Sequence, residues 1–416
     1  MLQAGYSLLL WIVLPLIALK LWLRGRREPG YRQWVGERFG RYTARPDAPV
    51  IWLHAVSVGE VRACIPLVNA LRADYPGHAI LVTCMTAAGR QAIEQAFGNS
   101  VHAGYLPYDY PFAVRRFLDH FRPRLGVLME TEIWVNLLVE CRRRSLDVVL
   151  ANARMSRQSF AGYRRLLALM RPAFGALAAV CAQSEADANR IAALGAHEVS
   201  VCGNLKFDVN LDGKLFEAGR KLKKLMAGKG VIALASTREG EEALLIEALC
   251  KRPLAGVFLL VVPRHPQRFD EVARLIEAAG LSVARRSRGD ASAGRQVLLG
   301  DTMGEMPTYY AAADVAIIGG TLLPFGGQNL IEASAAGVPV VLGPHVHNFS
   351  EAARLAVECG AAIQVATADE AIAASYALLE DGTRRESMAK AGLAFSAAHR
   401  GATQRHMDVI RSLLPV

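Results

Sequence analysis

The chain has 416 residues, 52% hydrophobic, 21% charged and 7% aromatic, with a formal net charge of +10. That length and apolar content support large buried cores, two domains being expected, and the positive balance favours anionic partners such as phospholipid headgroups or phosphorylated substrates. The low aromatic content and the lack of a nucleic-acid motif argue against nucleic acid, and seven scattered cysteines without a C-x-x-C pair argue against a disulfide framework or zinc site. They read as buried free thiols in a reducing compartment.

In chain order, the first element is an apolar run, "GYSLLLWIVLPLIAL", which Lys20 interrupts and "LWL" extends to Leu23. About 20 such residues span a bilayer core, and Lys20 can snorkel to the headgroups. Arg24, Arg26, Arg27, Arg32 and Arg38 follow the run and no basic residue precedes it. That asymmetry predicts a membrane anchor over residues 1–23 with the body of the protein cytoplasmic. "RGRREPG" offers no signal-peptide cleavage site. An interfacial helix, or one packed on the protein, is the alternative.

From Val50 onward, short apolar runs alternate with amphipathic segments: "VIWLH", "AILVTCM", "LGVLM", "DVVLAN" and "AAVCAQ", then, after an interruption at residues 199–214, "VIALAST", "VFLLVVP", "VAIIGG" and "VPVVLG". Buried strands alternating with helices predict an α/β protein with two Rossmann-like domains, 24–210 and 211–416, facing a cleft. Ligands in such sheets bind beyond the carboxyl ends of strands, where this chain places its unusual segments.

"HAVSVGE" (His54–Glu60) is the first of these. Glu60 falls in the first turn of a predicted helix, where an acid suits the helix dipole, and it is also placed to take a proton. "METEIW" supplies Glu130 and Glu132, and "GNLKFD" supplies Lys206 in the link between domains. In the second half Arg264 of "VPRHPQRF" follows a strand and can reach phosphate or carboxylate. "GGTLLPFGGQNLIEA" sets glycines before Asn329 at a helix cap, with Glu332 one turn on. Loop amides and a helix N-terminus cradle a phosphate, and such a carboxylate can accept both ribose hydroxyls. The amides of Gly304, Glu305 and Met306 in "GDTMGE" offer a second such turn.

Other signals are missing. No G-x-G-x-x-G occurs, "AGKG" has Lys223 where a P-loop needs glycine, and no H-E-x-x-H is present. His345 and His347 read as part of a loop after a strand. Neither a cofactor nor a metal is expected.

Together "HAVSVGE", "LPYDYP", "METEIW", "NARMS", "GNLKFD", "STREGEE", "VPRHPQRF", "GDTMGE", "GGTLLPFGGQNLIEA" and "GPHVHNF", behind an N-terminal anchor, resemble the Kdo transferases end to end. That family attaches 3-deoxy-D-manno-octulosonic acid (Kdo) to the lipid A precursor, lipid IVA, at the inner membrane of Gram-negative bacteria. The resemblance implies a GT-B glycosyltransferase fold, CMP-Kdo as donor, no metal and an inverting transfer; the net charge and the arginines after the anchor add anionic phospholipid as an expected partner. The resemblance implies Glu60 as general base, with Glu130 and Lys206 supporting the transition state. It implies CMP contacts from Pro263 and Arg264, from Gly304, Glu305 and Met306, and from Asn329, Leu330, Ile331 and Glu332. The chain departs from the family pattern at Val135, where a proline is usual, and at Gln328, where a histidine is usual. Two alternatives stay open at this point: a GT-B transferase or epimerase using a UDP-sugar, and a membrane-tethered binding protein without turnover.

Overall fold

The computed structural model describes residues 2–208, 213–226, 228–253, 256–290 and 292–415. The chain divides into two compact units, Met1–Asp208 with Gly401–Val416, and Val209–Arg400. Among the described residues each unit holds one sheet of seven strands.

The sheet of unit 1 comprises β1 (Val50–His54), β2 (Ala79–Cys84), β3 (His102–Tyr105), β4 (Pro123–Met129), β5 (Val148–Ala153), β6 (Ala179–Ala182) and β7 (Val199–Val201). They run parallel in the order β3-β2-β1-β4-β5-β6-β7. Successive side chains of a strand face opposite sides, so β1 feeds two cores: Ile51 and Leu53 pack with Val82 and Val127 on one face, Val50 and Trp52 with Leu81 and Leu128 on the other. Burial on both faces is why these strands read as unbroken apolar runs. Strand order reverses between β1 and β4, which opens a crevice at their carboxyl ends.

Unit 2 comprises β8 (Gly230–Thr237), β9 (Val257–Pro263), β10 (Val283–Arg285), β11 (Val297–Leu299), β12 (Val315–Ile318), β13 (Val340–Leu342) and β14 (Ala362–Gln364). These are also parallel, in the order β10-β11-β9-β8-β12-β13-β14, and reverse between β8 and β12. Gly319 is required at the end of β12, because a Cβ there would lie 2.3 Å from Ser236 O at the end of β8.

Several expectations change. The boundary expected between residues 210 and 211 lies outside the described residues. The last helix, Ala402–Leu413, belongs to unit 1 and not to the second domain. The reason is its apolar face: Ala402, Met407 and Ile410 fill the unit 1 core. Asp208 caps it by accepting the N–H groups of Gly401 (2.6 Å) and Thr403. The helix expected as an anchor runs Leu2–Arg27, past residue 23, and the chain turns at Pro29. Arg38 is buried, 1% exposed, with its guanidinium 3.9 Å from the Tyr105 ring, so it is no headgroup contact. Five cysteines are buried as expected, but Cys250 and Cys359, at helix ends, are exposed.

Candidate active site

In unit 1 the loops after β1 and β4, on either side of the strand-order reversal, carry the acids. Ser57 caps the helix Val58–Asp74 in extended conformation, which sets Glu60 in the first turn. Glu60 folds back toward the crevice: its Oε2 accepts the Val56 N–H at 2.8 Å and its Oε1 the Ser57 hydroxyl at 3.2 Å. Burial pushes its carboxyl up to about 7, the charges of Glu130 and Glu132 adding to the rise and the Val56 bond opposing it. His54 of the same motif is fully buried beside Thr83 Oγ1 (3.0 Å), and burial lowers it to about 3, so it is a neutral core residue.

Glu130 directly follows β4 with φ 57°, a left-handed backbone uncommon for a residue with a side chain. Such a turn costs on the order of 1–3 kcal/mol, and the Glu130 N–H bond to Ala151 O (2.9 Å) helps hold it. The Lys206 ammonium lies 3.9 Å from Glu130 Oε1. Glu132 accepts the Trp134 indole N–H at 2.9 Å, and its carboxyl is raised by burial. The three expected groups Glu60, Glu130 and Lys206 thus come together.

What positions Lys206 was not foreseen from the sequence. Asn152, closing β5 with φ 52°, accepts the Leu205 N–H at 3.0 Å, and Asn204 Oδ1 accepts the Lys206 N–H at 2.9 Å. The Asn152 N–H donates in turn to His406 Nε2 (2.9 Å) on the last helix, so "NARMS" and "GNLKFD" form one structure. Cys181, Cys202 and His406 have their ligand atoms within 4.8 Å of one another. His406 Nδ1–H, however, donates to Ala402 O (2.7 Å) while Nε2 accepts from Asn152, which leaves no imidazole lone pair for a metal.

Unit 2 builds its loops at the equivalent strand ends. Gly327 N–H donates to Gly320 O (2.7 Å) and Gln328 N–H to Gly319 O (3.0 Å), closing the loop after β12, with positive φ at Gly320, Gly326 and Gly327. Glu241 of "STREGEE", wholly buried, accepts the N–H groups of Arg238 (2.9 Å), Gly320 (2.6 Å) and Leu322 (3.0 Å), which ties this loop to the one after β8. Glu242 accepts from Arg268 and from Thr237, both at 2.7 Å. These glutamates are framework residues, and the sequence signal for them is a pair of acids shortly after an apolar strand.

Asn329 accepts the Ile331 N–H (3.0 Å) and donates to Glu332 Oε1 (2.9 Å). The helix it opens, Ile331–Ala335, is only five residues long, so the loop's amides and not a helix dipole are what it offers an anion. Burial raises the Glu332 carboxyl, with Asn329 and the nearby Arg264 charge opposing. Burial likewise lowers Arg264, which Glu332 counteracts, so the two share one environment. Leu330 and Ile331 are buried side chains and Pro263 is a buried strand residue, so these three present backbone alone. Gly304 has φ 83° and precedes the helix Met306–Ala312, whose first N–H groups have no partner within the helix. The Glu305 carboxylate is held by Arg286 (2.9 and 3.2 Å) and Thr302, and Arg286 is the main cause of its lowered pKa. Its side chain is therefore engaged apart from the Arg264–Glu332 pair. His345 and His347 lie in a loop after β13, as expected.

Residues 33–209 match the family described as 3-Deoxy-D-manno-octulosonic-acid transferase (kdotransferase), and residues 291–394 match Glycosyl transferases group 1. The 3-deoxy-D-manno-octulosonic acid transferase of Bordetella pertussis is 46% identical over 431 residues, covering 98% of this chain and 99% of that protein. The protein of the same description from Haemophilus influenzae is 36% identical over 420 residues, covering 98% of each. Among solved structures, a glycosyltransferase from Rickettsia africae gives a TM-score of 0.55 at 13% identity, covering 89% of this chain and 100% of that one. The UDP-GlcNAc 2-epimerase of Neisseria meningitidis, bound to UDP-GlcNAc, gives 0.56 at 15% identity, covering 88% and 100%. Those two likenesses concern the fold, which is GT-B, and transferases and epimerases share it. Identity along the full length is what separates them.

Proposed function

This chain belongs to the 3-deoxy-D-manno-octulosonic acid transferase family, and we propose that it moves Kdo from CMP-Kdo to the glucosamine disaccharide of the lipid A precursor, with inversion. The observation that carries the mechanism is Glu60: a carboxylate in the crevice after β1, fixed by two hydrogen bonds and pushed up to about 7, poised to accept a proton near neutral pH.

In the proposed step a primary hydroxyl of the acceptor gives its proton to Glu60 as its oxygen bonds to the anomeric carbon of Kdo. The bond from that carbon to the phosphate oxygen breaks, and CMP departs with the electron pair. Arg264 and the loop amides of unit 2 offset the charge growing on the phosphate, and Glu332 accepts the ribose hydroxyls. Lys206, held beside Glu130, supplies positive charge in unit 1, and Glu130 in turn fixes Lys206. Gln328 can still donate a hydrogen bond where the family has histidine.

The substrate bears acyl chains, so the enzyme works at a bilayer. Among the described residues Leu2–Arg26 forms one helix long and apolar enough to cross a membrane. Its basic flank supports the reading that the body lies on the cytoplasmic face of the inner membrane. Incubating CMP-Kdo with lipid IVA and following product by mass spectrometry tests the proposal. A Kdo-bearing lipid made by the native chain and lost in Glu60→Gln is expected; turnover of a UDP-sugar in place of CMP-Kdo overturns it.

A further inference from the structure

The helix Leu2–Arg27 is held at both ends by unit 1. Near its start, Gln3 Nε2 and Ser7 Oγ each donate to Asn136 Oδ1 at 3.1 Å, and the Tyr6 hydroxyl donates to Asp109 Oδ2 at 3.0 Å. Tyr110 donates its hydroxyl hydrogen to Leu10 O at 2.7 Å, and Trp11 stacks on Phe112 with ring centroids 5.5 Å apart. Toward its end, Arg24 sits 4.5 Å from the ring of buried Tyr31, and Gly25 leaves room for the Arg32 side chain, which a Cβ would meet at 2.6 Å.

Between these ends burial follows a helical stripe. Tyr6, Leu10, Val13, Ile17 and Leu21 are half-buried, at spacings of three, four and seven residues, while the opposite stripe of Leu9, Ile12, Leu16, Leu19 and Leu23 is exposed. The contacts with unit 1 come from one side of the helix, at Gln3, Tyr6, Ser7, Leu10 and Trp11. The other is a continuous apolar surface that a soluble protein does not leave in water.

A helix crossing the bilayer from Arg24 at the headgroups would carry Gln3 about 31 Å away, at 1.5 Å per residue, through a hydrocarbon layer of about 30 Å. Asp109 and Asn136 would have to travel with it. Asp109 also accepts the N–H groups of Asn136 (2.9 Å) and Leu137 (2.8 Å) in the helix Val135–Arg143, directly after "METEIW". Crossing would thus drag part of the α/β unit into lipid or break this network, and open sheet edges and loops are not tolerated in hydrocarbon.

We propose that Leu2–Arg27 does not cross the bilayer but lies in the plane of one leaflet, held to unit 1 by its first turns and by its C-terminal end, with the Leu9–Leu23 stripe among the acyl chains. The occupant of the exposed stripe is an anionic lipid surface. Lys20, Arg26 and Arg32 are exposed beside it and meet the headgroup charge, while Trp22, half-exposed beneath the Arg26 guanidinium at 3.9 Å, suits the interface. This deepens the membrane association proposed above and rests on it. It also sets the acyl layer beside the segment that bears Glu130 and Glu132.

Spin labels on the exposed stripe test it without disturbing the packed side. Leu9→Cys, Ile12→Cys, Leu16→Cys and Leu23→Cys would each be made in the full chain with Cys250→Ser and Cys359→Ser, and reconstituted in phosphatidylcholine vesicles containing one-third phosphatidylglycerol. Depth is read from the balance of oxygen and nickel-chelate collision rates. An in-plane helix gives all four labels one shallow depth, within about one helical pitch of 5 Å. A gradient of about 16 Å between Leu23→Cys and Ile12→Cys means crossing, and overturns the proposal while membrane association stands. Labels that all remain in water overturn both.

Discussion

Glu60 answers to two demands that act against each other. As a first-turn acid it accepts two hydrogen bonds that favour its charged form, yet burial dominates and raises its pKa from the usual carboxylate range to about 7. With the folded value above the unfolded one, the folded state holds the proton more tightly. The group's contribution to stability is full below about pH 4.5, declines as pH rises, and is gone above about 7. Glu60→Gln should therefore stabilise the protein at pH 8, by on the order of 1–3 kcal/mol, while lowering transfer by two or more orders of magnitude. In the native enzyme kcat/KM should fall as pH drops below 7. Thermal melts at pH 5 and 8, with rates across that range, check both halves; a variant less stable at pH 8 would mean that the hydrogen bonds outweigh the burial. The position of Glu60 was legible in the sequence, because "HAVSVGE" follows a strand. Its pKa was not, since it depends first on burial in the folded crevice and then on the charges of Glu130 and Glu132, about 70 residues away in the chain. Glu305 shows the same limit: nothing local reveals that Arg286 and Thr302 occupy its carboxylate.

At the scale of elements, the strands found and missed in the sequence divide by position in the sheet. The runs buried on both faces were legible; β3, β7, β10, β11 and β14 were not. Four of these five are sheet edges, and β11 lies one in from an edge. An edge strand buries less and can be three residues long, as in Val199–Val201, so it leaves no apolar run to read. The strand-order reversals β1/β4 and β8/β12 were equally hidden, although they explain why the motifs cluster. The loops at these reversals have distinct parts that mutation can separate. Glu332→Ala should weaken CMP binding tenfold or more, a lost charged hydrogen bond being worth about 1.5–3 kcal/mol, with little change in melting temperature. Glu241→Gln should do the reverse first. It leaves a buried N–H of Arg238, Gly320 or Leu322 without an acceptor, destabilising unit 2 by about 1–3 kcal/mol, and CMP binding weakens only as the loop loosens. Calorimetric titration beside thermal melts distinguishes them; equal behaviour of the two variants would refute the division into contact and framework.

At the scale of the whole molecule, unit 1 is discontinuous in sequence. Nothing in the order of motifs announces that residues 401–416 return to it, because an amphipathic helix does not reveal which core it covers. The structure makes the return energetically substantial. Met407 and Ile410 are buried in the unit 1 core, each worth about 1.5–3 kcal/mol. His406 holds the Asn152 turn that places Lys206, and Arg411 pairs with Asp74 at 2.5 Å. A chain ending at Arg400 should therefore lose transfer and the cooperative unfolding of unit 1, although it keeps Glu60, Glu130 and Lys206. Its unit 2, whose sheet and Arg264–Glu332 set lie wholly within Val209–Arg400, should still bind CMP. Because Asp208 already hydrogen-bonds Gly401, joining residue 208 to residue 401 through a few glycines should restore a folded unit 1 without unit 2. Urea unfolding of the three chains, with CMP titration of the truncated one, measures this directly. If the chain ending at Arg400 unfolds at the native urea midpoint in both units, the last helix is an appendage and Lys206 is placed without it.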